Sequence, residues 1–84
     1  MKLVQIDWVD SCSAAAGHPW CHIDEVKPAS VKCQSVGWLL HDDKESKTVI
    51  AHLSYGNHDG SLRQSAGDMT IPTRAITKLV VLRK

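Results

Sequence analysis

Apolar and polar residues alternate at the start of the chain. Val4, Ile6 and Trp8 fall on one side of an extended backbone, and the polar residues between them fall on the other. Successive side chains of a strand point to opposite faces, so this pattern predicts a half-buried first strand over Lys2–Val9.

Four more strands are predicted further along the chain, and a proline ends one of them. Their predicted bounds are Ser30–Leu40, Thr48–Tyr55, Asp68–Ile71 and Thr77–Arg83. Pro72 ends the fourth strand because proline has no N–H to donate to a ladder. One tight turn over Thr73–Ile76 then leads into the last strand, whose apolar residues on both faces are typical of a closed sheet.

The second strand changes phase along its length. Its apolar positions form two sets that point opposite ways: Val31 and Cys33, then Val36, Trp38 and Leu40. The change near Gln34 and Ser35 predicts a β-bulge or sharp bend, and Gly37 permits close backbone approach. The core predicted from these phases consists of Trp8, Trp38, Val49 or Ile50, Ile71, Leu79 and Val81.

Polar loops separate the strands, and the first is the longest, from Asp10 to Ala29. Within it, Pro19 suits the first position of a short helix over Trp20–Val26, which is an open alternative to irregular structure. His41–Lys47 is a predicted polar turn, and Gly56–Gly67 is a predicted polar loop that contains the turn signal Asp59-Gly60.

Five short strands with a tight turn before the last predict a mainly β fold, an SH3-like barrel, because closure protects the edges of so few strands. The 84 residues, 43% hydrophobic and 23% charged, indicate an ordinary globular composition. We expect a single domain over residues 1–84 with the long first loop and a 3₁₀ turn before the last strand.

Three short segments resemble a group of small phage and prophage proteins. They are Trp8-Val9-Asp10-Ser11, Ser35-Val36-Gly37-Trp38-Leu39, and Ile71-Pro72 followed by Ala75-Ile76 and Leu79. The resemblance implies a phage-encoded accessory domain inside the host cell. It supplies no catalytic residues, and the loop from Ser13 to Lys27 lies outside it.

Metal binding and catalysis find little support in the sequence. His18 and Cys21 have a chelating spacing, and Cys12 or Cys33 could complete a zinc site, but no second paired motif is present. No nucleophile elbow, catalytic-cysteine signature or phosphate-binding loop occurs. We therefore expect no enzyme activity, metal or cofactor, and we expect the three cysteines to be small buried residues.

The N-terminus lacks the apolar region and cleavage site of a signal peptide, and no apolar run approaches the ~18 residues of a membrane span. An odd number of cysteines, 3, also argues against a complete disulfide framework. We expect a protein of the cytoplasm, the host cytoplasm if phage-encoded, with no membrane partner.

Charge is unevenly distributed along the chain. Residues 1–62 carry five Lys against eight Asp or Glu, a net −3, whereas residues 63–84 carry five Lys or Arg against one Asp, a net +4. Arg63, Arg74 and Lys78 are candidate phosphate contacts in an SH3-like or Sm-like nucleic-acid-binding barrel. However, Asp42-Asp43 is followed by Lys44-Glu45-Ser46 without the asparagine of the Sm-like loop, and stacking aromatics are few.

The favoured function is a protein-interaction module that modulates or inhibits a host process by binding a host or phage protein, with nucleic-acid binding as the alternative. The long first loop is the predicted interface, through Trp20, His22, Asp24 and Glu25. Loops of this length are often functional, and large aromatic residues are frequent anchors. The other interpretation is that Trp20 caps an open end of the barrel; oligomeric state and partner identity are left open.

Overall fold

The chain folds into one antiparallel sheet, which confirms the predicted mainly β class. The computed structural model describes residues 1–12, 20–56 and 58–84, without the side chains of Leu62 and Arg63. Its strands are β1 (Leu3–Ser11), β2 (Ser30–Asp42), β3 (Ser46–Tyr55), β4 (Leu62–Pro72) and β5 (Ile76–Arg83), with 3₁₀ turns at Ile23–Glu25 and Thr73–Ala75.

The strands are ordered β4-β3-β2-β1-β5, so that β4 and β5 lie at the two edges. The long strand β2 belongs to two ladders: Ser30–Trp38 pairs with β1, and Trp38–Asp42 pairs with β3. The described ladders do not join β4 to β5. Closure of the sheet into an SH3-like barrel therefore stays a prediction.

The ladder between β1 and β2 is regular throughout. Its pairs run from Leu3 opposite Trp38 to Ser11 opposite Ser30 without a register shift. The bulge predicted near Gln34 and Ser35 was therefore wrong. Irregular register occurs instead between β2 and β3, next to Leu40, and at two points between β1 and β5.

A small core lies on one face of the sheet, which we call the core face. Val4, Ile6, Val49 and Ile71 are buried there, with exposed fractions of 0–4%. Five partly buried residues pack against them: Trp8, Leu39, Ala75, Ile76 and Leu79. The alternation in β1 thus predicted the correct face, and burial of Val49, Ile50 and Ile71 is confirmed.

Trp38 lies on the opposite face from this core, so its predicted phase was wrong. Directly opposed residues of two strands share a face, and Val4 lies opposite Gly37 while Leu39 lies opposite Val49. The core face of β2 is therefore the one that carries Gly37 and Leu39. Trp38 is half-buried on the other face, opposite Ile50.

Gly37 allows β3 to pass unusually close to β2. A Cβ atom at this position would lie 2.9 Å from the carbonyl oxygen of Ile50 and 3.2 Å from the Cβ of Val49. Any side chain here would push the two strands apart. The close backbone approach predicted for Gly37 is confirmed.

The fourth strand is much longer than the sequence pattern predicted. β4 starts at Leu62, so the predicted loop Gly56–Gly67 contains strand over about half its length. Gly67 has a φ of 73°, a conformation that other residues rarely adopt. The predicted turn at Asp59-Gly60 is present: Gly60 has a φ of 68°, and the Asp59 carboxylate accepts a hydrogen bond from the backbone N–H of Ser61.

The end of the fold contains the predicted 3₁₀ turn after Pro72. The N–H of Thr73 donates to the carbonyl of Glu45 at 2.9 Å, which ties this turn to the β2–β3 hairpin. In β5 the predicted burial of Val81 was wrong, because Val81 is 39% exposed; its neighbour Leu82 is 48% exposed. As an edge strand, β5 has a neighbour on one side only among the described ladders.

Candidate protein-interaction site

The candidate site is the apolar turn segment, defined as residues 20–26. It follows the point where the β1–β2 ladder ends, at the pair Ser11 and Ser30. Its 3₁₀ turn is held by two backbone hydrogen bonds, from Glu25 to His22 at 3.0 Å and from Val26 to Ile23 at 3.2 Å. The predicted helix over Trp20–Val26 is therefore only one turn, Ile23–Glu25.

Three large apolar side chains of this segment lie in solvent. Trp20 is 91% exposed, Ile23 is 93% exposed and Val26 is 58% exposed. Single exposed apolar residues are ordinary, but three within seven positions are a cluster of the kind found at interaction sites. The interpretation of Trp20 as a cap was wrong, because a cap would bury the ring and Trp20 is 91% exposed.

All four residues predicted for the interface are exposed in this one segment: Trp20, His22, Asp24 and Glu25. Asp24 and Glu25 place two carboxylates within the turn, beside the apolar side chains. The sequence analysis missed Ile23 and Val26. Their spacing of three residues after Trp20 was a visible signal that could have identified them.

The basic residues of the nucleic-acid alternative do not form one compact patch. Arg63 lies nine strand residues from Pro72, which at about 3.3 Å per residue is about 30 Å from the end of β4. Arg74 follows that end and lines a depression of about 600 Å³ together with Lys44 and Glu45. Lys78 is exposed and lies opposite Asp7 in the β1–β5 ladder, so carboxylates neighbour both cations.

The cysteines are free, and two of them are not buried as predicted. Cys12 and Cys21 are exposed, and Cys33 is half-buried. His18, the other member of the hypothetical zinc pair, lies outside the described residues. Within residues 1–12, 20–56 and 58–84, no group of three or more His, Cys, Asp or Glu side chains is placed to hold a metal ion.

The depression next to Trp8 is lined by polar groups that form hydrogen bonds with one another. Its volume is about 460 Å³, and it lies where the β1–β5 register shifts. The Gln34 amide donates to the Asp7 carboxylate at 3.0 Å, and the Thr77 hydroxyl donates to the Asp7 carbonyl at 3.1 Å. These bonds stabilise the junction of three strands and offer no nucleophile–base pair.

Comparisons with protein-family models, curated proteins and solved structures found no match. The resemblance to small phage and prophage proteins therefore stays a prediction. In the fold, its segments meet around the core: the Trp8 indole N–H donates to the Ser35 hydroxyl at 3.0 Å, and Ile71 is buried with Ala75 and Ile76 against it. Those segments account for packing and not for the apolar turn segment.

No helix among the described residues has the length and apolar character needed to cross a membrane.

Proposed function

We propose that this chain is a non-enzymatic accessory protein of phage type, and that it binds a host or phage protein through the apolar turn segment. The observation that carries the proposal is the exposure of Trp20 and Ile23, both above 90%. Keeping these side chains in water costs free energy that burial against a partner would recover, at roughly 25 cal/mol per Å² of apolar surface.

The chemistry of the segment defines the partner surface that would fit it. A tryptophan side chain contributes about 150–250 Å² of contact and is a frequent interface anchor. The partner therefore offers an apolar pocket for the Trp20 ring. Asp24 and Glu25 favour basic residues around that pocket, since charge complementarity at the rim selects partners and speeds association.

The decisive experiment captures the partner by photo-crosslinking. A photoreactive amino acid in place of His22 lies inside the segment, and the same amino acid in place of Leu40, 43% exposed on β2, is the matched control. We expect a nuclease-resistant protein adduct from host lysate with the position-22 probe and not with the position-40 probe. Recovery of nucleic acid alone would favour the alternative function.

The substitution Trp20→Ala then tests the anchor directly. Loss of an interface anchor weakens binding by about 2 kcal/mol or more, which is a roughly 30-fold or larger rise in Kd. Because Trp20 is 91% exposed, the melting temperature should be nearly unchanged. A Trp20→Ala variant that binds the captured partner as tightly as the wild type would contradict the proposal.

A further inference from the structure

The outer edge of β5 is not paired with any strand in the described part of the chain. β5 lies beside β1 and is the last strand in the order β4-β3-β2-β1-β5. Its central pairs with β1 are in regular register, from Lys78 opposite Asp7 to Val81 opposite Val4. An unpaired strand edge presents a row of N–H and C=O groups that another extended chain can pair with.

The direction of the backbone groups along β1 follows from one hydrogen bond at its start. The Leu39 N–H donates to the carbonyl of Lys2 at 2.8 Å, so these two residues form a hydrogen-bonded pair beside the β1–β2 ladder. Such pairs alternate with non-hydrogen-bonded pairs in an antiparallel ladder. Because the ladder is regular, Gln5 and Asp7 point their backbone groups toward β5. The hydrogen bond from the Thr77 hydroxyl to the Asp7 carbonyl, 3.1 Å, agrees with this direction.

The backbone groups that point to the outer edge of β5 are those of Leu79 and Val81. Val80 lies opposite Gln5, so its N–H and C=O groups pair with β1. Its two neighbours in the strand point theirs the other way, and within the described residues no hydrogen bond engages them. An added strand can therefore accept from two N–H groups and donate to two carbonyls at the centre of this edge.

β5 lacks features that protect the other edge strand from pairing. β4 ends at Pro72, which has no N–H to donate, and contains Gly67 with a φ of 73°. The eight residues of β5 include neither proline nor glycine, and four consecutive apolar residues occupy its centre. Two of them, Val81 and Leu82, are 39% and 48% exposed. A strand added here would bury apolar surface as well as pair its backbone.

The charges around this edge are of one sign. Lys78, Arg83 and Lys84 flank the apolar centre, and residues 76–84 contain no Asp or Glu. Asp7 lies opposite Lys78 and offsets part of its charge. A second β5 strand would bring the same cations, so pairing of two copies through this edge sets like charges near one another. A strand with carboxylates at its ends would be attracted instead.

We propose that the outer edge of β5 binds an extended peptide segment of a partner protein, with apolar or β-branched residues at its centre and Asp or Glu at its ends. In strand addition of this kind, main-chain hydrogen bonds supply affinity and the side chains supply specificity. The edge shares no residue with the apolar turn segment, so the chain would have two separate binding surfaces.

Amide hydrogen exchange of the wild-type protein, with and without a synthetic peptide, tests this proposal. The probe is a short peptide in which valine and threonine alternate between aspartates at both ends. In the free protein we expect the amides of Leu79 and Val81 to exchange faster than that of Val80, whose N–H pairs with β1. Saturation with the peptide should slow the first two amides most, by at least about tenfold.

A peptide of the same pattern with lysines in place of the aspartates is the matched control for charge. It should bind at least about tenfold more weakly, because its ends repel Lys78 and Arg83. Equal binding of the two peptides would overturn the acidic character assigned to the partner segment.

Two substitutions at position 81 test whether the contact is made by the backbone. Val81→Pro removes an N–H that points away from β1, and proline is tolerated at such positions of an edge strand. Val81→Ala removes side-chain atoms and keeps the N–H. We expect Val81→Pro to bind the aspartate peptide at least about tenfold more weakly than Val81→Ala does. Equal binding would overturn pairing through this edge, and the wild-type exchange experiment decides the case in which Val81→Pro does not fold.

Two results of the exchange experiment would overturn the proposal. If the amides of Leu79 and Val81 were as protected as that of Val80 in the free protein, the edge would already be covered, by β4 or by a second copy. Unchanged exchange at about 1 mM peptide would show that the edge accepts no such strand. Trp20→Ala should bind the peptide as the wild type does, so failure at this edge and failure of the apolar turn segment are distinguishable.

Discussion

Gly37→Ala should destabilise the fold although it adds only one methyl group. The new Cβ would lie 2.9 Å from the carbonyl oxygen of Ile50 and 3.2 Å from the Cβ of Val49. The first of these is a backbone atom, so no side-chain rotation relieves the contact, and β3 must move away from β2. Overpacking of this kind costs about 1–3 kcal/mol.

An opposing effect reduces the net cost. Replacing glycine by alanine restricts the unfolded chain and stabilises a protein by about 0.4–1 kcal/mol where the backbone is compatible. Gly37 has no positive φ, so this gain applies. With the midpoints of these two ranges, about 2 and about 0.7 kcal/mol, the net loss is about 1.3 kcal/mol. For 84 residues, with an unfolding entropy of about 2.1 cal/mol/K per residue, the melting temperature should fall by about 7 °C.

Thermal unfolding followed by circular dichroism measures this shift, with all proteins at the same concentration so that self-association does not contribute. Val36→Ala is the matched control, because it changes the adjacent residue of β2, which is 54% exposed. That control should change the free energy of unfolding by less than about 0.5 kcal/mol. A Gly37→Ala protein as stable as the wild type, or a control that loses just as much, would refute the close approach of β3.

Two more outcomes follow from the core and from the β2–β3 turn. Ile6 is fully buried, so Ile6→Ala should lower the free energy of unfolding in urea by about 2–5 kcal/mol, and a loss below about 1 kcal/mol would contradict its place in the core. Hydrogen bonds from the backbone N–H groups of Ser46 and Glu45 to the Asp43 carboxylate hold the pKa of that carboxyl below its ordinary value. Its contribution to stability is therefore present above the unfolded pKa and lost as the pH falls through the lower folded value. NMR titration should show the lowered pKa of Asp43. The Asp43→Asn variant should lack the part of the stability that the wild type loses at acid pH through this carboxyl. An ordinary pKa for Asp43 would contradict the hydrogen-bonded turn.

The alternation in β1 was sufficient to predict its buried face, but that in β2 was not. Val4 and Ile6 are apolar while their neighbours are polar, so only one face can be buried. Residues 36–40 of β2 are apolar on both faces, and the core face carries Gly37, which gives no hydrophobic signal. Which face of β2 is buried depends on its register with β1 and on its close contact with β3. Both are contacts between distant parts of the chain, so the pattern of a single strand does not contain them.

The length of β4 was also underestimated because it depends on pairing with another strand. Gln64, Ser65 and Gly67 have low strand propensity, and a pattern that weighs each residue alone places them in a loop. The regular pairing of this segment with β3, such as Ser65 opposite Leu53, supplies hydrogen bonds that local propensity does not count. In contrast, Asp59-Gly60 and Pro72 act locally, so their effects could be predicted.

The site could be predicted in outline because Trp20 has no place in a strand. Trp20 and Ile23 lie in the apolar turn segment, beyond the end of the β1–β2 ladder, so a partner there gains binding energy while the sheet remains as it is. We therefore expect Trp20→Ala to weaken partner binding without lowering the melting temperature of the sheet.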